Sequence, residues 1–518
     1  MEILLFLCHN QTNMNKPDTP TFSDLLKERE IAEAYIRGIV EFLKQNNLWK
    51  ELLDIYDRAS TTDSDAAYPD QGLVITDYDE QPAELTTQQL DQDIVEKTIH
   101  AWLYYLEVFN HPERLEALFR ENEADFVPPQ ASDNQLLDDH THEIIGINEF
   151  SLTPTGSNKD RTKRTERFKN GPFVKLGRQA RIPFVGSANP DIWGSTPAIA
   201  SMAMSHSLCG VPRDGFYSDP ERQADLAKSV FEMLEKSPAL IGKEPDVQDQ
   251  LLEMWKHNVM GVLEANPEKA IDRATILYEA GVRTFRIYSP EPGLGPLQTL
   301  EKLREREKEL GWEPIEIFVG QVVDLNQALT LEKAGADGIY LGIGGGGRCT
   351  TGVRSGVGIN WPQLVWEMRG KLTIPIIVEG GGSDYVAQSL SLGTTGIGVT
   401  RAAGGGTIES PGGSLYFDST EGLWKPYRGE ASAGMKAMGG RIGPFGFIPY
   451  VEGEGTKAYL EHGRGNVPTI LQNLNLLLGD AIMAHVFQNV QSIEELQKVG
   501  AESLRLSGAG EVAIRHTH

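Results

Sequence analysis

Gly335-Ala-Asp-Gly-Ile-Tyr-Leu-Gly-Ile-Gly-Gly-Gly-Gly-Arg-Cys-Thr-Thr351 joins a short apolar run to four consecutive glycines and a cysteine. Residues 338–342 read as a buried strand that ends in a glycine-rich loop. The same unit recurs on both sides. Candidate strands fall at 182–187, 206–211, 258–263, 283–288, 315–320, 338–342, 374–379 and 395–399. Helical stretches separate them, among them 218–235, 267–280, 296–310, 325–334 and 383–392. Eight strands alternating with helices over roughly 250 residues predict an α/β fold, a (β/α)8 TIM barrel. An open doubly wound sheet is the alternative.

Glycine clusters follow strands six, seven and eight, where a barrel builds its active site. After strand six, Gly342 to Gly347 let the backbone approach a ligand and turn N–H groups toward an anion. Cys349 ends that loop beside Arg348. A cation and inward N–H groups favour the thiolate, so Cys349 is the candidate nucleophile. A buried structural cysteine is the plain alternative. After strand seven comes Glu379-Gly-Gly-Gly382, an acid suited to a ribose diol, or a helix-capping acid in a tight turn. After strand eight comes Arg401-Ala-Ala-Gly404-Gly-Gly-Thr-Ile-Glu-Ser-Pro-Gly-Gly413, at the usual phosphate position of a barrel.

Taken together these segments resemble the IMP dehydrogenase / GMP reductase family. The segment 335–351 followed by Gly356-Val-Gly358 is similar to its cysteine loop. Ile374-Pro-Ile-Ile-Val-Glu-Gly-Gly is similar to its ribose-binding strand. Glu409-Ser-Pro-Gly and Tyr427-Arg-Gly429 are similar to its phosphate-proximal segment. Ser187-Ala-Asn-Pro-Asp191 resembles the end of its first strand, and Ser507-Gly-Ala-Gly510 its C-terminal stretch. The resemblance spans about residues 145–515 and implies a purine-nucleotide oxidoreductase using NAD or NADP. It implies that Cys349 attacks purine C2, with Thr351 and Glu409 as the polar pair handling protons. It implies that Ser187, Glu379, Gly380, Gly381, Gly346, Gly347, Arg348, Arg401, Tyr427 and Gly429 bind the nucleotide. Ser289, Gln321, Gly342 and Gly344 would meet the cofactor. A monovalent cation such as K+ is implied at the backbone of Gly344, Gly346 and Cys349. Arg441 falls where the family has a mobile flap, near 436–465, and either activates water or is a surface arginine. A homotetramer is implied as well.

The departures are specific. Glutamate stands at 379 where the family has aspartate, and Gly347 stands where it has serine. Arg401-Ala402 replaces its Gly-Ser pair, and Ile287-Tyr-Ser-Pro290 lacks its cofactor-side aspartate. Gly320-Gln-Val322 replaces its Gly-Asn-Val. The cysteine chemistry is kept while the nucleotide and cofactor contacts change. An FMN-dependent barrel oxidoreductase and a non-catalytic nucleotide-binding regulator remain alternatives.

The chain of 518 residues carries a formal charge of −25, which argues against nucleic-acid and anionic-membrane partners. The charge is uneven. Residues 1–142 hold 29 acidic and 10 basic side chains, and residues 143–518 hold 44 and 38. That shift predicts two domains, an acidic, mainly helical module over 1–142 and the barrel over 143–518. Helical patterns run over 23–59, 87–109 and 113–121, with a brief strand at 73–75. His140 and His142 read as a solvated linker, because no third metal ligand accompanies them. Three distant cysteines fit a reducing cytoplasm. Ile3–Leu7 is too short and too little flanked by bases for a signal peptide. It reads as a tail, with Met14 as the alternative start. No apolar run reaches the roughly 18 residues that span a bilayer. The basic run 159–169 binds an anion, meets the acidic module, or is a solvated loop. Trp361, Trp366 and Met368 at helical spacing point to core packing or a subunit contact, and His206 to a core histidine.

Overall fold

The computed structural model describes residues 149–505, apart from 151–153, 164–166, 168–172, 290–292, 345–348, 412–416, 421, 439–447, 449 and 460–468. The readings made for 1–142, including both histidines, lie outside the described residues, as do Gly346, Gly347, Arg348, Arg441 and 507–510.

Eight parallel strands close a barrel. They are β1 (Phe184–Gly186), β2 (Leu208–Val211), β3 (Val259–Glu264), β4 (Thr284–Tyr288), β5 (Glu316–Gly320), β6 (Gly338–Leu341), β7 (Ile376–Val378) and β8 (Gly396–Gly398). Each falls on a run predicted from sequence. Closure runs through Ile397 opposite Phe184 and Gly398 opposite Val185, so the open-sheet alternative is set aside. The strands are short and buried on both faces, which is why they read as unbroken apolar runs.

Helices α1 (Thr196–Met204), α2 (Pro220–Glu235), α3 (Pro245–Lys256), α4 (Pro267–Glu279), α5 (Gly295–Leu310) and α6 (Leu325–Lys333) ring the first six strands. Then come α7 (Trp361–Met368), α8 (Val386–Leu392), α9 (Ile470–Gln488) and α10 (Ile493–Ser503). Their starts are written in the sequence. Asp219, Asn266, Asp324 and Thr469 each accept a backbone N–H of the following helix, and proline opens α2 and α4. Trp361, Trp366 and Met368 are buried on α7, as core packing requires. His206 is buried in the turn between α1 and β2, its ring edge-on to Phe173.

One helix corrects the sequence reading. The 19 residues of α9 are long and apolar enough to cross a bilayer by length and composition. Here Leu474, Leu477, Leu478 and Ala481 are buried in the protein's own core.

A hairpin of Val174–Leu176 and Gln179–Arg181 closes the end of the barrel where the strands begin. Arg181 donates to Glu316 at 2.6 and 3.0 Å, to Asn258 at 2.7 Å, and to the carbonyls of His257 and Leu176. The Arg178 N–H and the Thr284 hydroxyl also donate to Glu316. Gly177 turns this hairpin at φ +73°, and a Cβ there would stand 2.5 Å from Glu316 Oε1. Of the basic run, Arg167 is neither solvated nor free for an anion. It is buried and donates to Thr162 O nearby and to Val490 O and Asn489 Oδ1 at the end of α9.

Between β8 and α9 the chain leaves the barrel and forms an antiparallel sheet of β9 (Phe417–Ser419), β10 (Gly422–Arg428) and β11 (Gly455–Tyr459). Glu149–Phe150 pairs with Leu504–Arg505, joining the two ends of the described chain.

Candidate active site

A cavity of about 1240 Å3 opens over the carboxyl ends of the strands. Loops after β6, β7 and β8 and the excursion from β10 to β11 wall it in. Cys349 and Thr351 line it, with Cys349 Sγ 3.1 Å from Thr351 Oγ1. Cys349 is part-exposed, whereas Cys209, inside β2, is fully buried and its thiol is pushed well up by burial.

Two backbone segments distant in sequence from Cys349 support the cysteine. Cys349 forms an antiparallel bridge with Gly453, and Gly453 a parallel one with Ser432. Thr350 N–H donates to Glu452 O at 2.8 Å, Glu452 N–H to Ala431 O at 3.0 Å, and Gly429 N–H to Glu454 O at 2.9 Å. The segments 349–350, 452–454 and 429–432 thus lie side by side. Glu452 and Glu454 both line the cavity, one on each side of the residue paired with Cys349.

The segment 427–431 is held from the barrel side. Arg428 is fully buried and forms a two-pronged pair with Asp191, at 2.8 and 2.7 Å. Asp191 Oδ2 also accepts the Arg428 N–H, and Asn189 donates to Arg428 O at 2.8 Å. Asp191 and Asn189 both follow β1. This anchor sets Tyr427, Gly429 and Glu430 on the cavity wall.

Glu379 directly follows β7 and meets Arg286 of β4 at 2.6 Å, while Gln321 Nε2 donates to it at 3.2 Å. Arg286 lies 4.2 Å from the centre of the Tyr340 ring and 4.6 Å from that of Tyr288. Arg286 Nε, Gln321 Oε1 and Glu379 Oε1 are buried without a hydrogen-bond partner among the described residues. Buried polar atoms are almost always satisfied, so three together mark a place where a ligand completes the set. Gly342 is required beside them, because at φ +138° a Cβ would fall 1.8 Å from Glu379 O.

Ser187, Ser289, Gln321, Gly342, Gly344, Cys349, Thr351, Glu379, Gly380, Gly381, Arg401, Tyr427 and Gly429 all line this one cavity. Ser187 and Thr400 share a hydrogen bond of 2.5 Å between β1 and β8. Arg401 is largely exposed and 3.6 Å from Asp384. The proposed cation site includes Gly346, outside the described residues.

Glu409 is the correction. It is buried away from the cavity, where Oε1 accepts the Ile470 N–H at the start of α9 at 3.0 Å. Burial pushes it up to about 7 and its neighbour Lys425 down to about 7. Lys425 Nζ donates to Thr407 O and Ser410 O. Glu409 is therefore not among the residues that line the cavity, whereas Glu452 and Glu454 are. Sequence reasoning also missed Arg286 and Glu430. An arginine within a β-strand was a signal for the first, and none was available for the second.

A model of the IMP dehydrogenase / GMP reductase domain matches residues 178–516. Inosine-5'-monophosphate dehydrogenase of Helicobacter pylori is 31% identical over 260 residues, 48% of this chain and 50% of that protein. That of Chlorobaculum parvum is 29% identical over 290 residues, 54% of this chain and 56% of that protein. That of Aquifex aeolicus is 28% identical over 262 residues, 48% and 50% of the two chains. The chain spans about half the length of the curated relatives it matches. With a domain match over more than half its residues and a closed eight-stranded barrel, the chain belongs to the IMP dehydrogenase / GMP reductase family.

Proposed function

We propose that this protein is a purine-nucleotide oxidoreductase in which Cys349 adds to C2 of the base. The observation that carries the reading is the half-exposed Cys349 thiol, 3.1 Å from the Thr351 hydroxyl and walled into the same cavity as Glu379. Thr351 shares the thiol proton and orients the sulfur. Glu452 and Glu454 stand within a residue of the paired backbone and take up or return a proton as the adduct forms and is released. Glu379 Oε1, free of protein partners among the described residues, accepts from a ribose hydroxyl.

A nicotinamide dinucleotide suits the other end of the cavity. Ser289, Gln321, Gly342 and Gly344 would hold it, and the unpartnered Gln321 Oε1 is an acceptor for a carboxamide N–H. When bound it supplies hydride chemistry at purine C2. NADP, a tetramer and a cytoplasmic location belong to the same reading.

The test is nicotinamide absorbance with purine monophosphates and NAD or NADP, on wild type and Cys349→Ala. Turnover that vanishes in the variant is expected. If wild type gives no turnover with any pair and Cys349 resists alkylation, the reading falls. Bound FMN on purification would point instead to a flavin-dependent barrel.

A further inference from the structure

Glu379 lines the cavity, yet only 14% of its side chain is exposed, because the carboxylate is engaged from inside the barrel. Oε2 accepts from Arg286 Nη2 at 2.6 Å and from Gln321 Nε2 at 3.2 Å. Two donors take up both lone pairs of that oxygen. Oε1 has no partner among the described residues. The carboxylate therefore has one oxygen left for a ligand, not two.

The arrangement is fixed from the protein side. Arg286 belongs to β4, is 2% exposed, and lies against the rings of Tyr340 and Tyr288. Among the described residues Glu379 is its only ion-pair partner. Turning both carboxylate oxygens to the cavity would leave a buried guanidinium without a counter-charge. Gln321 is buried as well. The Glu379 N–H donates to Leu341 O at 2.8 Å, and its side chain passes Gly398, where a Cβ would stand 3.2 Å from Glu379 Cγ.

A ribose offers two adjacent hydroxyls. A carboxylate with both oxygens free accepts one from each, and loss of either hydroxyl then costs a charge-assisted hydrogen bond. One oxygen does not serve both well, because its lone pairs diverge more widely than two hydroxyls on neighbouring ring carbons. Gly380 and Gly381, the next residues on the wall, have no side chain to supply a second acceptor. Gln321 Oε1 is committed to the carboxamide of the dinucleotide.

We propose that the site holds its purine nucleotide by one ribose hydroxyl, so that a nucleotide lacking the other, a deoxyribonucleotide, is taken as readily as the ribonucleotide. This rests on the reading of the cavity as a purine-nucleotide site and widens the class of sugar it takes. Arg286 is the positioning residue, acting through Glu379.

Calorimetric titration of the full-length protein with inosine and guanosine 5'-monophosphates, and with the 2'-deoxy and 3'-deoxy form of each, tests it. One deoxy form should bind within about twofold of the ribonucleotide and the other about tenfold more weakly. Both deoxy forms weakened about tenfold, or both equal to the ribonucleotide, overturns the proposal alone. Glu379→Asp is one methylene shorter, so it no longer reaches the fixed guanidinium and turns both oxygens to the ligand. In that variant both deoxy forms should fall about tenfold below the ribonucleotide. If the variant binds nucleotide and one hydroxyl still suffices, Arg286 does not restrict the carboxylate and the proposal falls. Where the aspartate variant does not fold, the wild-type series decides. No binding of any purine monophosphate overturns the purine-site reading and this proposal with it.

Discussion

Two arginine–glutamate pairs stand at opposite ends of the barrel, and they are built differently. At the closed end Arg181 and Glu316 have a partner for every polar atom. At the open end Arg286 and Glu379 are as close, at 2.6 Å, yet Arg286 Nε and Glu379 Oε1 have no partner among the described residues. A saturated pair seals the barrel and holds the hairpin over it. An unsaturated pair leaves hydrogen-bonding capacity facing a cavity. The same two residue types thus serve closure in one place and recognition in the other, and what separates them is the number of neighbouring donors and acceptors.

The largest effect that tests this contrast is on stability. Glu316→Gln leaves a buried guanidinium without its counter-charge and should cost about 3–5 kcal/mol in urea unfolding. A loss under about 1 kcal/mol would show that the closed end is not held as described. The matching change at the open end, Glu379→Gln, should cost about half as much, because Arg286 keeps two tyrosine faces. Nucleotide affinity should fall about tenfold or more in that variant and stay within twofold in Glu316→Gln, since only Glu379 faces the ligand. Equal affinity losses in the two would remove the distinction.

The two ends also differ in their response to pH. Burial alone raises Glu316, but the charge and hydrogen bonds of Arg181 outweigh it and hold the carboxyl below its ordinary value of 4.5. Its contribution is present at neutral pH and lost as acid protonates it in the folded state. Glu430 has the opposite sign. Its raised value of about 8 means a contribution that is full below 4.5 and lost as pH rises through 8. Melting curves at pH 6 and 9 should therefore show Glu430→Gln gaining on wild type at the higher pH. An unchanged difference would mean that the carboxyl does not hold its proton in the fold. The smallest effect is expected from Cys349→Ala, whose stability should stay within about 0.5 kcal/mol of wild type. A larger loss would make Cys349 part of the packing rather than a free thiol.

How far these distinctions were legible in sequence depends on what each residue needs. The eight strands were, because a strand buried on both faces needs only an apolar run, and those runs lie within single short segments. The loops after β6, β7 and β8 were legible through glycines that permit close backbone approach. Helix α3 was missed, its core contribution resting on only two fully buried residues, Leu251 and Trp255. Glu409 misled because it lies in a glycine-rich segment close to the site in sequence, while its side chain turns to the start of α9. Glu430, Glu452 and Glu454 owe their place to backbone pairing across some eighty to a hundred residues, as in the bridge from Cys349 to Gly453. No local pattern records that pairing. Arg286 is intelligible only once Glu379 and Tyr340 are seen beside it.

That pairing has a further consequence. The footing of Cys349 belongs to an excursion that leaves the barrel after β8 and returns at α9, and the strands of that excursion form a sheet separate from the barrel. Competence and integrity are thus separable. Local opening of the paired segments 429–432 and 452–454 would remove the support of Cys349 while the barrel strands stayed paired, and reclosure would restore it without refolding. Amide exchange should find the two regions reporting different opening energies, with loss of the cysteine's support the less costly event.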